Sequence, residues 1–327
     1  MSRYLDAQDV PIGLAAFLAY DDYDHIDDPD HISATALLRP TRQLILSQRL
    51  SPEQRQDSLY DRLKARMGQA LHGAVEDVWQ NHLDQALAAL GVPEKRRAMV
   101  KVNPDRDTPL PPGTIPVYLE QRSFKRVGKY NVSGKFDFVF DGQLQDFKFT
   151  STFTYANQSK AEDYIKQGSI YRWLNPDIIT KPTMLINYGF WDWSAAKTYG
   201  NNYPPKPVLA QEFHLQPVAQ VEHWVGQKLN EIERFSQADD QLIPLCTDKD
   251  LWRTELTYKY YANPEKMGRA TKVFQTREEA ITHQMNKGGK GVIQEHKPEP
   301  KACNYCDAKP ICGQYKSFVD QGIIKED

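Results

Sequence analysis

The chain has 327 residues, of which 40% are hydrophobic and 26% charged, and its formal net charge is −2. Such values suit one large globular domain or two modest ones. No apolar run approaches the roughly 20 residues needed to cross a bilayer, and a net charge near zero neither suggests nor excludes a polyanionic partner.

The charge is unevenly spread. Residues 1–30 hold eight Asp and one Arg, whereas residues 251–316 hold twelve Lys or Arg against seven Asp or Glu. The acidic start reads as an irregular, solvated and mobile leader. The opening MSRYLDAQDV has no basic segment followed by an apolar stretch, so no secretory signal is read and a cytoplasmic location is expected.

In chain order, HISATALLRPTRQLILSQRL (31–50) reads as helical, with Ser33 as N-cap and Pro40 as an interruption. From about Ser58 to Leu90, Leu63, Met67, Leu71, Ala74, Val75 and Val78 recur at helical spacing, and Gly91 and Pro93 end the run. Residues 101–115 read as loop. Strands are expected over 113–124, 127–140 and 143–150, a helix over 157–174 and a buried strand over 183–193. A Pro/Gly/Asn-rich loop follows, then an amphipathic helix over 221–235. Between Cys246 and Cys303 lies a small piece of two strands, a helix and a strand. Helices bracket a strand-rich centre, which predicts an α/β layered fold. Residues 1–245 form the expected core and residues 246–327 a small α+β cysteine-bearing subdomain.

The most informative stretch is the hairpin around Asp141-Gly142, a dipeptide that favours a two-residue turn. A loop of just those residues pairs Phe140 with Gln143 and sets Asp137 opposite Asp146. Side chains alternate faces along a strand. One face therefore carries Phe136 and Phe138 against Phe147 and Phe149. The other carries Lys135 and Asp137 against Asp146 and Lys148. Two carboxylates held roughly 4.5–5.5 Å apart at Cβ repel, and a divalent cation with oxygen ligands, Mg²⁺ or Mn²⁺, removes the repulsion. A solvated face of mutually paired Asp and Lys explains the hairpin equally well.

Two flanking segments favour the cation. GQALHGAVE places Gly68, His72 and Glu76 on one helical stripe, with an imidazole available as a ligand and a glycine that lets another backbone approach. YIKQGSIYRWL sets Gln167 and Tyr171 one turn apart, suited to a phosphate. Taken singly, a surface His–Glu pair and a half-buried helix face explain them as well.

The four cysteines are Cys246, Cys303, Cys306 and Cys312, and the last three form C-x₂-C-x₅-C. Four thiolates suit tetrahedral Zn²⁺ or a 4Fe–4S cluster, and the spacing does not choose between them. His223, His283 or His296 offers an alternative fourth zinc ligand.

The ordered set GQALHGAVE, GKFD, DFK and QGSIY resembles the PD-(D/E)XK nuclease superfamily, specifically its RecB-like exonuclease branch, which includes CRISPR-associated adaptation exonucleases and phage-borne members. HISATALLRPTRQLIL is similar to the opening of the phage and prophage members. The resemblance implies a mixed sheet flanked by helices, a restriction-endonuclease-like core, and metal-dependent hydrolysis of DNA. Within it, His72, Asp137, Asp146 and the Phe147 carbonyl would hold the metal. Lys148 would orient water and stabilise charge, and Gln167 and Tyr171 would place the strand. Glu76 matches a family position without an assigned role. The resemblance also implies a 4Fe–4S cluster on Cys246, Cys303, Cys306 and Cys312, although the family's first cysteine usually precedes the core and here none does. DNA ends or single strands are the expected substrate, a recombination or single-strand annealing protein a possible partner, and the host cytoplasm the location if the chain is phage-encoded. No membrane partner is expected. A non-catalytic DNA-binding or scaffold protein and a structure-selective endonuclease are the alternatives.

Trp191, Trp193, Tyr199 and Tyr203 are candidates for stacking on bases, with loop anchoring the commoner role for such tryptophans. Arg39 and Arg42 are candidates for contact with the DNA backbone, or for plain surface solvation.

Overall fold

The computed structural model describes residue 4 and residues 6–21, 26–55, 58–198 and 202–324. The chain divides into two compact units. The first comprises residues 1–38 and 56–230, and the second residues 39–55 and 231–327. The boundary expected at residue 245 thus lies at residue 230, and the short segment 39–55 joins the second unit.

The first unit is an α/β assembly with two mixed sheets. Its strands are β1 (His31–Ser33), β2 (Val100–Val102), β3 (Ile115–Leu119), β4 (Arg122–Val127), β5 (Tyr130–Lys135), β6 (Phe138–Phe140), β7 (Gln143–Thr150), β8 (Thr183–Phe190) and β9 (Val208–His214). A six-stranded sheet runs in the order β2-β3-β6-β7-β8-β9 and a three-stranded one in the order β1-β5-β4. The β2–β3, β7–β8 and β1–β5 pairs are parallel and the others antiparallel.

The strands expected over 113–124 and 127–140 both break, and they break at the same level. Between β3 and β4 stand Glu120 and Gln121; between β5 and β6 stand Phe136 and Asp137. Each run therefore leaves one sheet and enters the other. Glu120 takes the left-handed region at φ 49°, which a side chain with a Cβ rarely adopts without compensation. The register holds through the break: Leu119 pairs with Phe138 on one side of it and Arg122 with Lys135 on the other. Glu120 N donates to the Asp137 carbonyl at 3.0 Å and Phe136 N to the Gln121 carbonyl at 3.3 Å.

The Asp141-Gly142 turn is as expected. Both residues have positive φ, 47° and 78°, and Phe140 pairs with Gln143. On the phenylalanine side, Phe138 meets Phe147 edge-on at 5.8 Å and Trp79 at 4.9 Å. Phe136 is fully buried. Removing such a ring from water contributes about 2–3 kcal/mol.

Helices cover both faces of this region. The helix Leu59–Asn81 sends Trp79 onto the Phe138 cluster. Its Leu63, Met67 and Val78 are exposed, so the apolar stripe read from the sequence is only partly a core stripe. The helix Ala161–Leu174 buries Tyr164, Ile170, Tyr171 and Trp173. Gly134, in β5, lets that helix sit close: a Cβ there would meet Leu174 Cδ1 at 2.7 Å and Tyr171 Cδ1 at 2.9 Å.

The acidic start is more ordered than its composition suggests. Residues Ile12–Ala19 form a helix. The Asp6 carboxylate accepts from Leu59 N at 2.7 Å, Tyr60 N at 3.2 Å and Ser58 Oγ at 2.7 Å, and so caps the long helix. Burial opposes its ionisation, but these hydrogen bonds outweigh it and hold the carboxyl below the usual range. Residues 22–25 lie outside the described residues. Ser33 does act as an N-cap, accepting from Ala36 N at 3.1 Å, and Pro40 separates Ala34–Leu37 from Thr41–Gln48.

In the second unit, β10 (Thr257–Tyr261), β11 (Lys272–Phe274) and β12 (Val292–His296) form an antiparallel sheet in the order β11-β10-β12, with the helix Arg277–Asn286 between the last two strands in sequence. That piece matches the expectation. A separate core joins Ile45 and Leu46 to Ile243 and Ala308, with Cys306 and Cys312 packed against it.

Candidate metal centre

Two hairpin turns fix the site. The Asp141-Gly142 turn pairs Phe138 with Gln145, and the next step of that register sets Asp146 opposite Asp137. Gly128-Lys129, between the paired Val127 and Tyr130, places Glu120 opposite Asp137 from the other side. Three carboxylates thus fall at one level on three adjacent runs of chain. Asp137 keeps its backbone bond to Glu120, but toward β7 the ladder stops and its side-chain Oδ2 accepts from Phe147 N at 3.1 Å.

His72 approaches from the long helix. Its Nε2 lies 3.0 Å from the Phe147 carbonyl and 3.5 Å from Asp137 Oδ2, and its Nδ1 lies 3.6 Å from Glu120 Oε1. His72, Glu120 and Asp137 each offer a ligand atom within 4.8 Å of the other two, the one such group among the described residues. Asp146 falls outside that group. It is 2% exposed, and its Oδ2 meets Lys148 Nζ at 2.6 Å without a well-directed hydrogen bond.

All five residues line a cavity of about 470 Å³ with Gln167 and Tyr171. Gln167 Nε2 donates to Tyr171 Oη at 3.0 Å. Glu76 lines the same cavity. Gly68 does not serve a close backbone approach, since a Cβ there would meet nothing within 4 Å. Lys135 also departs from expectation. The strand break carries it into the β4–β5 pair, where its Nζ binds Glu120 Oε2 at 2.8 Å instead of standing opposite Lys148.

The charges nearly balance: Glu120, Asp137 and Asp146 face His72, Lys135 and Lys148. Burial opposes a charged imidazole at His72, but Glu120, Asp137 and the Phe147 carbonyl overcome it and raise the group to about 9. Burial, then the neighbouring Asp146, pushes Asp137 up. Burial acts against Lys148 as well, yet Asp146 and Asp137 hold it above its ordinary value. Glu120 is lowered: desolvation is outweighed by His72 and Lys135. Tyr164 and Tyr188 are pushed up by burial first and remain neutral phenols.

This donor set fits a hard divalent cation. Carboxylate, imidazole and carbonyl donors suit Mg²⁺ or Mn²⁺, and the buried, poorly satisfied Asp146 oxygen is one such donor. Glu120 is the residue that sequence reasoning missed. The Gly128-Lys129 turn carried the signal, since counting back from it pairs Glu120 with Asp137.

The second unit holds the four cysteines as free thiols. All four line one small cavity of about 30 Å³ with Arg42, Leu46, Leu251 and Ala308. They do not form a compact set, because no three of them offer sulfurs within 4.8 Å of one another. A single tetrahedral zinc would hold its sulfurs roughly 3.8 Å apart, given Zn–S bonds of about 2.3 Å. His283 packs on Tyr260 and Phe274, and His296 Nδ1 lies 3.3 Å from Lys259 Nζ. Gln314 clamps Cys246: its Oε1 accepts from Cys246 N at 2.9 Å and its Nε2 donates to the Cys246 carbonyl at 3.0 Å. Burial pushes Cys246 up to about 12 and Cys303 to about 11, so these are inert thiols rather than nucleophiles.

The remaining candidates separate. Trp193 donates to the Pro204 carbonyl at 3.0 Å and Tyr203 Oη accepts from Ser194 N at 2.8 Å, so both anchor a loop. Trp191 is exposed beside the Lys64 ammonium, 5.4 Å from its ring centre. Tyr199 lies outside the described residues. Arg39 pairs with Asp307 at 3.5 Å, and Arg42 is buried rather than free to meet DNA.

No family model matches the chain, and no curated protein matches it. A solved structure described as the crystal structure of SSO0001 aligns over 72% of this chain and 94% of its own, at 15% identity and a TM-score of 0.39. Among the described residues, no helix is long and apolar enough to cross a membrane.

Proposed function

We propose that the protein is a divalent-metal-dependent deoxyribonuclease of the PD-(D/E)XK type that degrades DNA from ends or along single strands. The observation that carries this reading is the convergence of His72, Glu120, Asp137, Asp146 and Lys148 on one cavity. Resident cations balance most of this charge, but the buried Asp146 Oδ2 keeps no well-directed hydrogen-bond partner, an acceptor that a bound cation would satisfy and that a binding module has no use for.

His72, Asp137, Asp146 and the Phe147 carbonyl are the ligands of this reading, with Glu120 from the β3–β4 break standing behind His72 at its Nδ1. The bound Mg²⁺ or Mn²⁺ supplies Lewis-acid polarisation of the phosphate and a lowered water pKa. Lys148, held cationic by Asp146, faces the position where negative charge develops. Such a donor contributes typically about 3–4 kcal/mol to the barrier. Gln167 and Tyr171 offer neutral hydrogen bonds for placing the substrate strand. Glu120, bridging His72 and Lys135, orients the imidazole.

The four thiols belong to a 4Fe–4S cluster in this reading. Each thiolate of such a cluster takes its own iron, so the sulfurs stand further apart than around one zinc ion. Free thiols and an iron–sulfur centre both suit a cytoplasmic setting. A recombination or single-strand annealing protein is the partner we assign, as the consumer of the strands such an enzyme leaves.

The test is degradation of end-labelled single- and double-stranded DNA with Mg²⁺ or Mn²⁺, beside a covalently closed circle and the Lys148→Ala variant. Loss from ends, an intact circle and an inactive variant are expected. Cutting of the circle would favour an endonuclease, and metal-independent binding without cleavage would favour a scaffold.

A further inference from the structure

Arg42 is 2% exposed. Its Nη1 donates to the carbonyls of Asp240 and Ile243, both at 3.0 Å, and its Nη2 binds the Asp240 carboxylate. Its Nε donates to Cys312 Sγ at 3.3 Å. The Asp240 carboxylate is in turn fixed by Gly313 N at 3.0 Å.

Stability alone does not explain this arrangement. Arg42 lines the thiol cavity together with Leu46, Leu251 and Ala308, a setting in which an apolar side chain would pack. Replacing a buried ion pair by apolar groups of similar volume is often neutral or stabilising. What an apolar side chain cannot supply is a cationic N–H aimed at one sulfur of the thiol cavity. Cys246 is held by Gln314 only through its backbone N and carbonyl, and the Cys306 sulfur meets a neutral backbone N–H at Ala308. The four thiols are therefore electrostatically unequal.

We propose that Arg42 tunes the metal cluster of the second unit, donating a charged hydrogen bond to the Cys312 sulfur and favouring the reduced state. This rests on the iron–sulfur reading above. Hydrogen bonds to the sulfurs and net local charge are two of the levers that set a cluster's reduction potential. A buried cation stabilises an added electron more strongly than the partly exposed Asp240 carboxylate opposes it, because solvent screens the latter. Arg42 is a positioning residue: it acts through Cys312 and touches no substrate.

The experiment is a redox titration of the full chain, purified without oxygen, followed by visible absorbance with iron counted per chain. Arg42→Gln removes both charge and N–H fork. It is expected to lower the ratio of reduced to oxidised cluster roughly tenfold at fixed ambient potential, a shift of about 59 mV for a one-electron couple. Arg42→Lys keeps the charge without the fork and should fall between Arg42→Gln and the unmodified protein. Asp240→Asn removes the opposing charge and should shift the potential upward. Opposite signs distinguish tuning from a disturbed fold, which would move both variants the same way. Identical titrations of Arg42→Gln and the unmodified protein at equal iron content would overturn the proposal, as would equal-signed shifts. If Arg42→Gln does not fold, Asp240→Asn decides alone: no shift, or a downward one, overturns it. An unmodified protein that is colourless and iron-free sinks the cluster reading itself, and this inference with it.

Discussion

The carboxylate centre and the thiol cavity, the two sites proposed to take a metal, are built in opposite ways. The first is full of charge: three acids already face three cations, and Asp146 lies against Lys148. The second holds its thiols protonated: burial raises Cys246, Cys303 and Cys306, and Arg42 and Lys309 are cations of its lining. A cation entering the first must compete with resident counter-charges, and the imidazole must give up a proton. A metal entering the second must draw protons from thiols, and it then staples residues distant in sequence. The comparison teaches that one proposed metal site keeps its charges balanced and exchangeable, whereas the other keeps them suppressed.

The largest expected effect is on chemistry. Lys148→Ala should lower kcat by about 10²–10³ while leaving DNA binding within a few fold, measured by single-turnover cleavage and by binding in Ca²⁺. An equal loss of binding would make Lys148 a substrate anchor and blur the contrast with the thiol cavity.

Next in size is removal of a thiol. Cys246→Ala should leave the protein without iron and lower its melting temperature, while Mn²⁺ binding at the carboxylate centre survives. Unchanged iron content would mean that Cys246 is not a ligand.

Glu120→Gln sharpens the first half of the comparison. Losing a group that orients His72 should weaken Mn²⁺ binding about 10–100-fold, read by calorimetry. Unchanged affinity would leave Glu120 as a partner of Lys135 alone.

The smallest effect is on pH dependence without metal. His72 is raised to about 9 from an ordinary 6.5, so its contribution is fully present below about pH 6.5 and is lost as pH rises through about 9. It is worth at most about 3 kcal/mol. Asp137 is also raised, so its protonated form too favours the folded state at the acidic end. Both signs agree: the EDTA-treated protein should melt at lower temperature as pH climbs from about 6.5 to 9. Mn²⁺ should flatten that slope. A melting temperature that rises over the same interval would show that the carboxylates are not held together.

Much of this was legible in the residues. Asp141-Gly142 dictated its turn, and the turn dictated that Asp146 faces Asp137. The 3.6-residue period placed His72 mid-helix, and the alternating run after Cys246 announced its strands. What escaped notice was the break at Glu120 and Asp137. A strand that changes sheets keeps its alternation, so hydrophobic period alone reads two runs as one. The same register logic, applied to Gly128-Lys129, would have found Glu120. Asp6 as a helix cap was hidden for another reason: a long-range cap leaves no local spacing to read. Arg42 was hidden because nothing in RPTRQL distinguishes a buried arginine from a solvated one.

The most direct measurement is an anomalous difference map from crystals grown with Mn²⁺. A single peak within about 2.3 Å of Asp137 and Asp146 oxygens, with His72 completing the shell, is the predicted result. A map without a peak at these carboxylates, in crystals of protein that still cleaves DNA, would contradict the account.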